Sequence, residues 1–98
     1  MFVSHLLRHS KLNLRALAER TFENLKLALA AVGASFRDVV KMNLYVVGLK
    51  PEHVPVLREV RSRYVSPEQP PASTLVGVSA LAGADWLIEV EAVAVLPE

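Results

Sequence analysis

Residues 39–47 read VVKMNLYVV, a run rich in β-branched and aromatic side chains and largely apolar on both faces. Such a segment is a strand that needs cover on both sides. The rest of the chain offers little to cover it. Leu14, Leu17, Ala18, Phe22, Leu25, Ala28, Leu29 and Val32 recur at helical spacing, with Arg15, Glu19, Arg20, Glu23 and Lys26 opposite. Asn13 is placed to cap that helix and Gly33 sits where a C′ glycine belongs. A second helix opens at Pro51 and runs to about residue 64, with Val54, Leu57, Val60, Arg61 and Tyr64 along one side. Pro55 is tolerated only in its first turn, which moves the start a residue or two later.

The remaining strands follow from shorter signals. Residues 1–7 form an apolar, β-prone opening, and residues 8–11 a polar turn. Ser35 and Asp38 flank a short turn before 39–47, and Pro67, Pro70 and Pro71 make an extended connector. Residues 73–78 (STLVGV) read as a strand, Gly83, Ala84 and Asp85 as a turn, and residues 86–96 as a last strand. In that strand Ile88, Val90, Ala92 and Ala94 alternate against Glu89, Glu91, Val93 and Val95. The order is β-α-β-α-β-β, an α+β fold of one domain over residues 1–98 with both helices on one face of the sheet. The uncovered face then calls for another subunit. A mean hydropathy of +0.32 points the same way, since a chain of this size buries only about 60% of its surface by itself.

Composition removes several function classes. There are no cysteines, hence no disulfide, no thiolate nucleophile and no Cys-ligated metal. A net charge of +1 gives no field for nucleic acid or a membrane surface, and no apolar run is long enough to span a bilayer. The N-terminus lacks a signal-peptide core, so a cytoplasmic location is expected.

Several residues carry chemistry on their own. Glu89 and Glu91 share one strand face beside Leu87, Val93 and Val95; a carboxylate there acts either as a general acid or base or as a solvated or ion-paired surface group. Ser73 and Thr74 begin a strand after two prolines and either bind an anion or satisfy nearby backbone. His5 and His9 are four apart, but in a strand-then-turn segment that spacing does not converge on a metal. No metal or other cofactor is expected. His53, at a helix start, reads as structural, and Gly77 as a bulge or a close approach. Arg58, Arg61 and Arg63 form a basic stripe that reads either as an RNA contact or as a solvated face balanced by Glu52, Glu59 and Glu68; the latter is favoured at this net charge and without aromatic platforms.

Three blocks resemble the RidA/YjgF family, also labelled L-PSP endoribonucleases or translation inhibitors: TFENL at 21–25 leading into AVGAS at 31–35; DVVK at 38–41; and PPAST at 70–74 through VGV at 76–78 to IEVEA at 88–92. Their order and spacing make the resemblance specific, and it covers roughly residues 14–97. It implies a chorismate-mutase-like fold, a homotrimer with a barrel-like core, and small-molecule pockets between subunits. Deaminases of the family hydrolyse imines and enamines such as 2-aminoacrylate, using a Pro-Ala-Arg-Ser arginine as a carboxylate clamp. Here Ser73 stands where that arginine would be, and the family's water-positioning glutamate falls on Glu89. A serine gives one neutral bond where a guanidinium gives two charge-assisted ones worth roughly 1.5–3 kcal/mol each, so deaminase activity is expected to be absent or weak. Phe2, Val3 and Ser4 resemble the family's second strand, with His5 in place of a glycine. By that resemblance the chain is N-terminally shortened, and Ser4 and His5 fall on a rebuilt pocket wall as ligand-binding candidates. A turn at Gly83 is expected to fold the last strand back beside the third, bringing Glu89 toward Ser73 and Thr74. The function implied is small-molecule binding at a subunit interface, extending to a divergent hydrolase; an RNA-acting protein is the alternative.

Overall fold

The computed structural model describes the backbone of Phe2–His5 and all of residues 14–96. The expected turn at 8–11, the Asn13 cap, His9 and the side chains of Ser4 and His5 lie outside the described residues.

Helix α1 (Leu14–Ala31) buries Leu17, Ala18, Thr21, Phe22, Leu25 and Leu29, the stripe that its periodicity requires. The Thr21 hydroxyl, fully buried on that stripe, donates to the Leu17 carbonyl at 2.8 Å. The helix ends in a Schellman turn. Gly33, at φ +76°, donates to the Ala30 carbonyl at 3.0 Å, and the Ala34 N–H reaches the Leu29 carbonyl at 2.8 Å. Ser35 then caps a short 3₁₀ turn, Phe36–Asp38, while Asp38 accepts from the Ser35 N–H at 2.9 Å. These paired caps aim the chain into strand β2 (Val39–Val47).

Helix α2 (His53–Ser62) starts two residues after Pro51 and holds Pro55 in its first turn, where a missing N–H costs nothing. His53 is structural, its Nδ1 accepting from the Lys50 N–H at 2.9 Å. Strands β3 (Ala72–Val78) and β4 (Ile88–Ala94) complete the chain, and β1 is Phe2–His5.

The sheet order is β1-β4-β2-β3. The crossover through α2 lays β3 parallel to β2, with Met42 opposite Ser73 and Leu44 opposite Leu75. Strand β4 runs antiparallel between β1 and β2, with Ile88 opposite Val46 and Val90 opposite Leu44. The last strand therefore does not lie beside the third, contrary to expectation: β2 separates them. Burial accounts for the arrangement. Ile88, Val90 and Ala92 are each at most 1% exposed and need a central strand, whereas Ser73, Thr74 and Gly77 suit an edge.

Met42, Leu44 and Val46 join Ile88, Val90 and Ala92 under α1 and α2 in one core. Phe22, Phe36 and Tyr64 close one end, Phe22 stacking on Tyr64 at 5.3 Å between ring centroids. The other sheet face carries Lys41, Asn43, Tyr45 and Val47 from β2, more polar than the reading of a strand apolar on both sides. Around them, Val76 is 38% and Val93 43% exposed.

Candidate functional site

The stripe of arginines on α2 divides in two. Arg63 donates to both Glu59 carboxylate oxygens at 2.9 Å and also pairs with Glu19 on α1, while Arg15 reaches Glu59 from the same helix. The hydrogen bond donated by Arg63, aided by Arg15, holds the Glu59 carboxyl below its usual pKa; donating to Glu19 and Glu59 raises the pKa of the Arg63 guanidinium. This quartet staples α1 to α2 through exposed groups, so its contribution is screened by salt.

Arg58 and Arg61, three residues apart, turn toward the sheet edge instead. They rim a cleft of about 520 Å³ between α2 and β3, whose walls and floor are Leu44, Leu49, Val54, Leu57, Leu75 and Pro71. Arg61 Nη1 donates to Ser73 Oγ at 2.9 Å. Among the described residues no carboxylate lines the cleft, and neither Arg58 nor Arg61 makes an ion pair. Local backbone chemistry builds its far wall. Gly48, at φ +67°, turns the chain after β2, and a Cβ on Gly77 would stand 3.0 Å from Leu49 Cβ. Gly77 is a close approach, one of its two expected roles.

Ser73 is thus the polar strand residue of this cleft, on the helix-covered side of the edge strand. Thr74 lies on the other face, in one row with Asn43 and Glu91. Glu89 also faces that side, opposite Tyr45, three residues further along β2 than Met42, the partner of Ser73. Within one chain Ser73 and Glu89 therefore do not converge; a strand and a change of face separate them. Ser4 pairs with Glu89 and His5 with Ile88 along β1.

Glu91 anchors a polar cluster on the open face. It accepts from Asn43 Nδ2 at 2.9 Å and from the Tyr45 hydroxyl at 3.3 Å. Partial burial raises the Tyr45 phenol pKa, and the neighbouring Glu91 carboxylate raises it further. Neither Asn43 nor Tyr45 was singled out by sequence, although period-two counting along β2 places both opposite Met42, Leu44 and Val46. Among the described residues no group of His, Cys, Asp or Glu could hold a metal ion, and no helix is long and apolar enough to cross a membrane.

Comparison with known proteins gives these features a context. The sequence profile described as Endoribonuclease L-PSP matches residues 8–96. A RutC family protein of Pyrococcus abyssi is 42% identical over 76 residues, which cover 78% of this chain and 57% of that protein. The chain thus matches little more than half the length of this curated relative. Among solved structures, YyfB of the conserved Rid protein family from Yersinia pestis superposes with a TM-score of 0.80 at 29% identity, covering 98% of this chain and 77% of that one. RidA from the Antarctic bacterium Psychrobacter sp. PAMC 21119 gives a TM-score of 0.76 at 33% identity, covering 90% and 68%.

Proposed function

Because the chain belongs to the Endoribonuclease L-PSP family, the group that includes the RidA/YjgF proteins, we propose that it is a small-molecule-binding Rid-type protein acting as a homotrimer, with its ligand held at the subunit seam. The single observation that carries this reading is the α2–β3 cleft, where Arg61 bonds to Ser73 and, among the described residues, no carboxylate neutralises the rim. The cleft opens beside β3, an edge strand with no partner on its outer side among the described residues, and in the proposed assembly a neighbouring copy closes it there. Exposed Val76 and Val93 on the open face supply apolar area for the assembly.

In this arrangement Glu89, with Thr74 on the same face and the Ser4 and His5 stretch paired beside it, serves the cleft of an adjoining copy across the seam. Hydrolysis then depends on the assembly, since Glu89 lies far from Ser73 within its own chain. Turnover of 2-aminoacrylate is accordingly absent or very weak, and ligand binding is the primary property.

Light scattering at micromolar concentration tests the assembly; a trimer is expected and a monomer would refute it. Steady-state assay of 2-aminoacrylate tests the chemistry. Turnover matching that of a family member with an arginine at the position of Ser73 would overturn the binding-first reading. Retention of RNA that weakens steeply with salt would move the function to nucleic acid instead.

A further inference from the structure

We propose that a second, polar notch, apart from the α2–β3 cleft, binds a small zwitterion of the amino-acid type, with Arg37 taking its carboxylate and Glu68 its ammonium group. The notch encloses about 230 Å³ between the 3₁₀ turn Phe36–Asp38 and the connector that follows α2, and it is lined by Arg37, Ser66, Glu68 and Gln69. It shares no lining residue with the cleft, so this site stands independently of the ligand reading above.

Local chemistry holds both walls in place. Phe36 packs on Tyr64 with ring centroids 5.4 Å apart, which brings the 3₁₀ turn against the chain leaving α2. On one wall the Ser35–Asp38 capping pair fixes the backbone of Arg37, whose N–H donates to Ser35 Oγ at 3.3 Å. On the other, Ser66 Oγ accepts from the N–H groups of Glu68 at 3.3 Å and Gln69 at 3.4 Å, and donates to the Glu68 carboxylate at 3.4 Å. Pro67 and Pro70 restrict φ within and just after this turn. Charge then selects the ligand. Arg37 and Glu68 line one small space, yet among the described residues neither makes an ion pair, with each other or elsewhere. A molecule carrying both charges bridges the gap between them. A simple anion meets Glu68 there and a simple cation meets Arg37, each a like charge at close range. The lining is wholly polar among the described residues, so an apolar tail gains nothing, while the Gln69 amide can serve either end of the ligand. At about 230 Å³ the notch lies below the range of about 300–1,000 Å³ typical of drug-sized ligands, which restricts the zwitterion to a few heavy atoms.

The test is titration of the intact protein with glycine, acetate, methylammonium and inorganic phosphate, followed by amide chemical shifts. Glycine is expected to bind with a millimolar dissociation constant and to shift Arg37, Ser66, Glu68 and Gln69, leaving Leu57 and Ser73 of the cleft unmoved. Acetate, methylammonium and phosphate should each be weaker by about five- to tenfold, the loss of one exposed charge-assisted bond. Arg37→Gln and Glu68→Gln should each weaken glycine by the same factor. Their melting temperatures should match the parent, because both side chains are exposed. Acetate, methylammonium or phosphate binding the notch as tightly as glycine would overturn the zwitterion match. Unchanged glycine affinity in either variant would do the same. No shift in the notch at millimolar glycine, or shifts confined to the α2–β3 cleft, would overturn the site itself; neither result counts against the cleft as a ligand site.

Discussion

Leu57→Ala separates the structural share of the cleft floor from its binding role. Leu57 is 1% exposed, belongs to the core beneath α2 and also lines the cleft. Truncating a buried leucine to alanine costs about 2–5 kcal/mol, rising with the volume of the void that remains. Here the void joins an open cleft instead of forming a sealed cavity. Solvent or a neighbouring side chain can enter it, which places the cost in the lower half of that range, about 2–3 kcal/mol. For a domain of this size each kcal/mol moves the melting temperature by about 4–8 °C, so a drop of about 10–20 °C is expected. Melts should be followed by circular dichroism at one fixed protomer concentration, because assembly adds to apparent stability. Leu27→Ala, at a site 63% exposed on α1, is the control and should stay within about 0.5 kcal/mol of the parent. A Leu57→Ala shift as small as that of the control would refute the claim that α2 is held to the sheet by this side chain.

Other outcomes follow from particular contacts. Gly33→Ala places a Cβ at φ +76° and should cost about 1–2 kcal/mol, read as a lower urea midpoint with an unchanged slope. Glu59 has its folded-state pKa lowered, chiefly by Arg63, so its contribution is present above the unfolded carboxyl pKa of about 4.3 and is lost as pH falls through the lower folded value. Acid melts of Glu59→Gln should lack that part of the pH dependence, and added salt should shrink it in the parent. Glu91→Gln should bring the Tyr45 phenol pKa part of the way back toward its usual value, since burial is the larger cause and remains; ultraviolet titration reads the change.

The sequence is most legible where local chemistry is self-contained. Helix α1, its glycine stop at Gly33, the turn between Ser35 and Asp38 and the full span of β2 all follow from spacing and turn residues close together in the chain. Strand order does not, because STLVGV at 73–78 and the strand containing Ile88 to Ala92 have equal claims to the place beside β2. Tertiary burial gives each of them one side of it, and that choice sets Ser73 and Glu89 on opposite faces. The arginines were visible as a stripe, but their division required the rotation of α2 against β3. That rotation sends Arg63 to Glu19 and Arg61 to Ser73. The polarity of the open face was understated because Asn43 and Tyr45 find a shared acceptor, Glu91, only after β4 is paired with β2.

A crystal structure of the assembled protein tests the central claim most directly. A trimer is predicted in which a neighbouring copy closes the α2–β3 cleft over Arg61 and Ser73, leaving room there for a small molecule. A monomer, or a trimer whose own packing fills the cleft, would contradict it.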